Sequence, residues 1–151
     1  MKDVKGLSLT DALTGGYESE PNELGLKFYD QILDKFIKCN IESIVTISHY
    51  EIRLNSALKY DGFKDRKVID FFVRYVKVIF ESYKNKVKYW STFNEMNMLL
   101  LHHLGAFLSL GIIEKNSNGT WFNEWKVNLQ TKLQAFDHQM LASAHVVKVA
   151  H

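Results

Sequence analysis

The sequence predicts an α/β fold organised around one strand–helix–strand unit. Two short apolar runs rich in β-branched and aromatic residues predict strands, at residues 41–48 (IESIVTIS) and 87–93 (VKYWSTF). Such runs favour strands covered on both faces, as in a parallel sheet. We expect a right-handed crossover between them. The helix of that crossover is predicted from an apolar stripe formed by Ile69, Phe72, Val73, Val76, Ile79, Phe80 and Tyr83.

A loop and a helix are predicted before the first strand. Residues 1–19 show little periodicity and are interpreted as loop. Pro21 is predicted to open the helix, because proline is favoured in a first helical turn. Asn40 is predicted to end it in the left-handed conformation. The apolar positions of this helix are Leu24, Phe28, Ile32, Leu33, Phe36 and Ile37.

The rest of the chain is predicted from weaker patterns. Residues 52–64 are interpreted as a long polar connection, followed by a helix with Asp65 as its N-cap and Asn85 near its end. Residues 96–110 are predicted to be helical, and residues 114–124 to be a surface loop. A final helix is predicted over residues 131–150, with a core face formed by Leu133, Phe136, Met140, Leu141, Ala144 and Val147.

Composition excludes several classes of partner. The chain has 151 residues, 46% of them hydrophobic, which is enough for a core, and its formal net charge is only +2. So mild a charge argues against nucleic acid and anionic membranes as partners. The most apolar window, residues 96–113, is interrupted by polar residues and glycines and is too short for a transmembrane helix. A single cysteine, Cys39, and a start without an apolar leader favour the cytoplasm.

Two polar clusters follow the predicted strands. His49, Tyr50 and Glu51 come after the first strand, and Asn94 and Glu95 after the second. Because parallel strands end at the same edge, we expect both clusters on one rim, where α/β proteins build their sites.

The Glu95 carboxylate admits two interpretations. If Tyr89, Trp90 and Phe93 wall it, its pKa would be raised towards that of a general acid. Alternatively Asn94 and Glu95 only begin the next helix, because amides and carboxylates are favoured at helix N-termini. Composition alone favours this second interpretation.

The histidines outside these clusters predict neither a metal site nor a cofactor. His138 and His145 are seven residues apart, too far along a helix to share a metal, and His102 and His103 are adjacent and point different ways. No spacing of the HExxH kind is present.

The stretch KYWSTFNEMN, residues 88–97, strongly resembles the acid/base motif of glycoside hydrolase family 1, the β-glucosidase and 6-phospho-β-glucosidase family. Residues 20–51, 65–90 and 137–151 resemble that family's helices and strands in the same order, and the stretches around His49 and DRKVIDFF resemble its 6-phospho-β-glucosidase branch. The resemblance implies a partial (β/α)8 TIM barrel containing about strands three and four with their flanking helices. The domain would cover residues 20–151, after an N-terminal loop segment at 1–19.

The resemblance also implies roles for three residues. Glu95 would be the catalytic proton donor and later the general base of a retaining β-glycosidase. Asn94 would bind the sugar 2-hydroxyl, and His49 would bind the glycone. The expected substrate is a β-glucoside or a 6-phospho-β-glucoside.

The second carboxylate of a retaining enzyme is not found in these residues. The family carries this nucleophile in a Thr/Ile-Glu-Asn-Gly motif, which the 151 residues do not contain. We therefore expect a glycosidase that carries the acid/base but is inactive as an isolated chain. The alternative is a non-catalytic remnant or an interaction fragment of such an enzyme.

Other departures from the family concern its barrel. KGLSLTDALTGG and YESEPNELGL meet near Gly16, where the family would have its first helix and second strand, so an internal deletion is predicted. Ile52-Arg53 stands for a Met-Pro or Leu-Pro step, and Asp61-Gly62-Phe63 for Gly-Gly-Trp. Two strands cannot close a barrel, so we expect marginal folding, self-association or dependence on a complementary barrel fragment. The apolar side chains expected to be uncovered are Ile44, Val45, Val87 and Trp90.

Overall fold

The computed structural model describes residues 13–14, 20–52, 54–98, 103–113 and 127–151. The loop predicted over residues 114–124 lies outside these ranges. The elements are, in chain order, β1 (Leu13–Thr14), β2 (Glu20–Pro21), α1 (Glu23–Lys38), β3 (Ile44–Ser48), α2 (Leu54–Tyr60), a 3-10 helix (Gly62–Lys64), α3 (Lys67–Tyr83), β4 (Tyr89–Phe93), α4 (His103–Leu110) and α5 (Leu129–Ala150).

Strands β3 and β4 pair in parallel, which confirms the predicted α/β arrangement. Ile44 lies opposite Tyr89 and Ser48 opposite Phe93. The pairing continues one step past β4, where the Asn94 N–H donates to the Ser48 carbonyl at 2.9 Å. Both strands therefore end at the same edge of the sheet.

Helix α1 begins later than predicted. It starts at Glu23, after Asn22, whose side chain accepts from the Gly25 N–H at 3.2 Å. Pro21 lies in β2, which pairs antiparallel with β1. The asparagine side chain satisfies a free N–H of the first turn, whereas proline only lacks an N–H and bonds none. The position of the asparagine therefore determines where the helix starts. Asn40 has φ 55°, and its predicted left-handed conformation is confirmed.

The prediction of a polar connection over residues 52–64 is wrong, because α2 and the 3-10 helix occupy most of it. Two apolar side chains, Ala57 and Phe63, anchor the segment in the interior. The burial of these two side chains stabilises a segment whose other residues are mostly polar. In so short a stretch two apolar residues show no clear helical periodicity, so the sequence did not predict the helices.

The turn at Asp61 and Gly62 joins this segment to the end of α4. Asp61 has φ 57°, and its carboxylate accepts from the Ile113 N–H at 2.7 Å. Gly62 has φ 61°, and a Cβ there would lie 1.9 Å from the carbonyl oxygen of Leu110. The position therefore requires glycine. Aspartate suits the preceding position because its side chain tolerates the left-handed region and supplies an acceptor.

Helix α3 is the central element of the core. The Asp65 carboxylate accepts from the Lys67 N–H at 2.9 Å at the start of the helix, although the residue in the N-cap position is Arg66 rather than the predicted Asp65. The helix ends at Tyr83, close to the predicted Asn85. The predicted apolar stripe of α3 is buried or half-buried throughout. Val76 and Ile79 pack in a cluster with residues of α1, β3 and α5, and Ile69 packs in a second cluster with residues of α4 and α5.

The predicted core face of α5 is wrong at four of its six positions, since only Phe136 and Leu141 are partly buried and pack on the second core cluster. Leu133, Met140, Ala144 and Val147 are exposed. The buried face is Lys132, Ala135, His138, Gln139, Ala142 and Val146.

Polar contacts explain which face α5 buries. His138 Nδ1 bonds the Phe63 carbonyl at 2.8 Å, and Gln139 Nε2 donates to the Ser109 carbonyl at 2.9 Å. Both carbonyls lie in the buried region between α5, α4 and the 3-10 helix, where an unpaired acceptor would be costly. The donors of α5 therefore turn inward.

The expected uncovered strand residues are only partly confirmed. Ile44 is 61% exposed, whereas Val45 and Trp90 are half-buried. Val87 is 4% exposed, so the expectation was wrong there. It precedes β4 and packs with Tyr83 and Ile79 in the first core cluster.

Candidate active site

The two predicted polar clusters meet on one rim of the sheet. His49 and Tyr50 follow β3 directly, and Asn94 and Glu95 follow β4. Because Ser48 lies opposite Phe93, His49 and Asn94 are the first residues past the paired strands, and Tyr50 and Glu95 the second. The structure thus brings together the three residues to which the sequence analysis gave roles, His49, Asn94 and Glu95.

A short hydrogen bond links the two clusters. The Tyr50 hydroxyl donates to Glu95 Oε2 at 2.6 Å, across 45 residues of sequence. That distance is typical of a hydroxyl bound to an ionised carboxylate. Sequence reasoning had placed Tyr50 in the first cluster without giving it a partner. The signal was available, because Tyr50 and Glu95 are each the second residue after strands that pair in parallel.

Both residues of this pair have strained backbones. Tyr50 has φ 70° and Glu95 has φ 40°, in the region that non-glycine residues rarely adopt. Such conformations cost about 1–3 kcal/mol each and concentrate at functional sites. A hydrogen bond between exposed side chains contributes about 0.5–1.5 kcal/mol, which does not offset two such costs. The geometry is therefore not explained by local stability.

Tyr50 is kept in its neutral, proton-donating form. Burial, the hydrogen bond to Glu95 and the negative charge of Glu95 raise the pKa of Tyr50, while a side-chain hydrogen bond from Asn94 lowers it. The net shift is upward from 10.0, so Tyr50 is a donor at neutral pH. Asn94, Tyr50 and Glu95 consequently form a chain in which amide, hydroxyl and carboxylate are linked in order.

His49 lies against this chain. Its ring packs edge-on against the Tyr50 ring, with centroids 5.2 Å apart and planes at 83°. Its backbone N–H donates to Glu51 Oε2 at 2.9 Å, which fixes the turn after β3. The half-buried imidazole therefore lies beside the Tyr50–Glu95 pair.

The predicted aromatic wall around Glu95 is absent. Tyr89 is 57% exposed at the other end of β4, Phe93 packs in the second core cluster, and Glu95 itself is exposed. The aromatic side chain that contacts its carboxylate is Tyr50. The alternative interpretation retains support, because the Glu95 carbonyl accepts from the Met98 N–H at 3.0 Å and opens the next turn.

Two further searches cover only the described part of the chain. Within it, no three His, Cys, Asp or Glu side chains come close enough together to hold a metal ion. None of its helices combines the length and apolar character needed to cross a bilayer.

Comparison with known proteins identifies the family. The sequence model of Glycosyl hydrolase family 1 matches residues 7–151. The chain belongs to this family. The resemblance seen in the sequence is therefore confirmed over nearly the whole chain.

Family 1 relatives include enzymes with phosphorylated substrates in their names. The chain is 44% identical over 145 residues to the aryl-phospho-β-D-glucosidase BglH of Bacillus subtilis, covering 96% of the chain and 29% of the relative. It is 42% identical over 136 residues to a 6-phospho-β-glucosidase of Clostridium longisporum, covering 90% of the chain and 26% of the relative. The chain thus spans little more than a quarter of these relatives.

Solved family 1 structures share the fold. A family 1 β-glucosidase from Thermotoga maritima matches with a TM-score of 0.70 and 28% identity, over 95% of this chain and 28% of that one. The chain therefore has the architecture of part of a family 1 enzyme, whose fold is the TIM barrel.

Proposed function

We propose that this chain contributes the acid/base part of a retaining β-glycosidase site, with Glu95 as the proton donor. The observation that carries the proposal is the meeting of His49, Asn94 and Glu95 at the carboxyl ends of two parallel strands. TIM-barrel enzymes build their active sites at that rim. We also propose that β3 and β4 correspond to the third and fourth barrel strands.

Each residue has a role in the proposed reaction. Glu95 donates a proton to the glycosidic oxygen as the bond from the anomeric carbon to that oxygen breaks and the oxygen keeps the electron pair. Glu95 then takes a proton from the water that attacks the glycosyl intermediate. Asn94 bonds the sugar 2-hydroxyl and His49 the glycone. An exposed carboxylate suits a group that must reach a substrate.

The reaction also needs a carboxylate nucleophile roughly 5 Å from the acid. The 151 residues lack the family's nucleophile motif, so we propose that a complementary barrel segment supplies it. The proposed substrates are β-glucosides and 6-phospho-β-glucosides. The names of the two curated relatives, both phospho-glucosidases, favour the phosphorylated class. Such sugars would be met in the cytoplasm, the location predicted from the sequence.

Complementation tests the proposal. The purified chain is mixed with a polypeptide comprising the remaining three quarters or so of the Bacillus subtilis relative, and nitrophenyl β-glucoside is supplied with or without a 6-phosphate. We expect turnover only in the mixture, and a fall of about 10²–10⁴-fold in kcat on Glu95→Gln. Glu81→Gln, an exposed carboxylate on α3, is the matched control. Turnover that is insensitive to Glu95→Gln would contradict the proposal.

The second candidate is an interaction fragment without catalysis. It is favoured by large apolar side chains that are exposed on α1, β3 and α5, among them Leu24, Ile44 and Leu129. Stable binding of the complementary polypeptide with no turnover on any of the substrates would favour it.

A further inference from the structure

The Tyr50 hydroxyl occupies one oxygen of the proposed catalytic carboxylate. It donates to Glu95 Oε2 at 2.6 Å, and the Asn94 side chain also bonds this hydroxyl, which lowers the pKa of Tyr50. A carboxylic acid carries a single proton, on one of its two oxygens. When Oε2 accepts from Tyr50, the proton of the acid form is favoured on Oε1.

We propose that Tyr50 is a positioning residue that holds Glu95 through Oε2, so that Oε1 delivers the proton to the leaving group. The inference rests on the proposed function of Glu95. In the proposed step the nucleophilic carboxylate of the complementary segment bonds the anomeric carbon as the bond from that carbon to the glycosidic oxygen breaks. The glycosidic oxygen keeps the electron pair and takes the Oε1–H proton. Tyr50 keeps its own proton throughout, and its hydroxyl bonds Glu95.

The placement of the pair supports an orienting role. Tyr50 and Glu95 each turn into the left-handed conformation immediately beyond their strands. Both turns are anchored at paired strand ends, since Ser48 lies opposite Phe93 and its carbonyl accepts from the Asn94 N–H. The carboxylate is exposed, so without the hydroxyl its orientation would be set by solvent.

Within the described residues, the side chains that bond or pack on Tyr50 belong to the two turns that follow β3 and β4. The ring of His49 packs on its ring, and the carboxylate of Glu51 is held by the His49 backbone. Glu95 is the carboxylate to which the hydroxyl donates. Asn94 joins the sugar-binding position to the acid, because its amide bonds the hydroxyl that holds Glu95. A sugar that engages Asn94 would therefore act on the orientation of the acid through Tyr50.

The pairing is tested without turnover by nuclear magnetic resonance. Tyrosine labelled with carbon-13 at Cζ is introduced into the full chain, the Tyr50 signal is assigned by its loss in Tyr50→Phe, and its titration is followed. We expect the Tyr50 pKa to fall in Glu95→Gln and to rise further in Asn94→Ala. Tyr60→Phe, a tyrosine packed on Phe71, is the control that leaves the Tyr50 signal unchanged. Identical Tyr50 titrations in the parent chain and Glu95→Gln overturn the proposal.

The positioning role is tested by leaving-group dependence in the complemented mixture. Dinitrophenyl β-glucosides need little proton donation, whereas alkyl β-glucosides need it fully. We expect Tyr50→Phe to lower kcat about 10-fold or more on the alkyl substrate and less than about 3-fold on the dinitrophenyl one. In Glu95→Gln we expect a larger difference between the two substrates in the same direction.

The outcomes separate this inference from the proposed function. If Glu95→Gln lowers kcat equally on the alkyl and dinitrophenyl substrates, Glu95 is not the acid and the proposed function fails. If Glu95→Gln lowers kcat more on the alkyl substrate but Tyr50→Phe lowers it equally on both, only the positioning role of Tyr50 fails. If the mixture does not turn over, the proposed function fails, and the Tyr50 titration still decides whether the pair forms.

Discussion

Helices α3 and α5 were each predicted to bury an apolar stripe, and only α3 does so along its whole length. The stripe on α3 is buried or half-buried along its whole length. The predicted stripe on α5 leaves Leu133 43% exposed and Met140 48% exposed. Helix α5 instead buries a face that includes His138 and Gln139.

The difference shows that a stripe predicts burial only where its partner is present. Helix α3 packs against side chains of α1 and β3, such as Leu33 and Ile47, which the described chain supplies. Helix α5 packs Ala135, Ala142 and Val146 in the core clusters. Beside them an imidazole and an amide bond backbone carbonyls. Of its predicted stripe, four residues are exposed, while Phe136 and Leu141 are partly buried.

The largest expected effect is a core truncation in α3. Ile79 is 0% exposed, so Ile79→Ala should lower the free energy of unfolding by about 2–5 kcal/mol through lost burial and a cavity. Leu133→Ala on α5 is the matched control and should stay within about 0.5 kcal/mol. Urea denaturation of both variants measures the contrast. If both variants lose the same free energy of unfolding, Leu133 contributes as much to the core as Ile79 and the contrast between the two helices is wrong.

The next effect concerns the polar face of α5. His138→Phe keeps an aromatic ring at this position but leaves the buried Phe63 carbonyl without its hydrogen-bond partner. The free energy of unfolding should fall by about 1–3 kcal/mol. His145, exposed on the same helix seven residues later, provides the control. His145→Phe should change the unfolding free energy by less than about 0.5 kcal/mol. If the two substitutions cost the same, polar contacts do not determine which face of α5 is buried.

The sequence predicted those parts of the fold whose signal lies within a few neighbouring residues. Strands β3 and β4, the α3 stripe and the polar side chain of Asp65 at the start of α3 were all predicted, because apolar periodicity and capping are local signals. Helix α2 was missed, since Ala57 and Phe63 anchor a stretch too short for its periodicity to show. The buried face of α5 was missed because it depends on distant carbonyls, such as that of Phe63, which no sequence pattern reveals.

The candidate site was predicted more completely as a location than as a geometry. Placing His49 and Glu95 on one rim required only two parallel strands ending together. The environment of Glu95 was wrongly predicted, because neighbours in sequence were taken as neighbours in space. Tyr89 and Phe93 lie along the strand, while Tyr50 arrives from the other strand. Counting residues past each strand would have found Tyr50.

A smaller effect is expected where α3 ends against α1. The Tyr83 hydroxyl donates to the Leu26 carbonyl at 2.7 Å, so Tyr83→Phe should cost about 0.5–1.5 kcal/mol at neutral pH. Burial, followed by the charge of Asp30, raises the pKa of Tyr83 from 10.0 to about 12. The folded state thus holds this proton more tightly than the unfolded state.

This proton gives the effect a pH dependence with a definite sign. Stabilisation by the raised pKa of Tyr83 is complete below pH 10.0 and is lost as the pH rises towards about 12. The difference in unfolding free energy between the parent chain and Tyr83→Phe should therefore shrink over that window. Denaturation at pH 8 and near pH 12 measures it, and a constant difference would contradict the assignment.

The smallest effect on stability should come from the α5 stripe, and it sharpens the contrast most. Replacing Leu133 and Met140 together by lysine places two charges on a face that the described chain leaves in solvent. The unfolding free energy should change by less than about 0.5 kcal/mol for each substitution. If the exposed stripe drives the predicted self-association, the parent chain should sediment faster with rising concentration, and the double variant should not. A loss of stability comparable to that of Ile79→Ala would place the stripe in the core of the chain. Unchanged stability with unchanged association would instead leave β3, where Ile44 is exposed, as the surface through which copies meet.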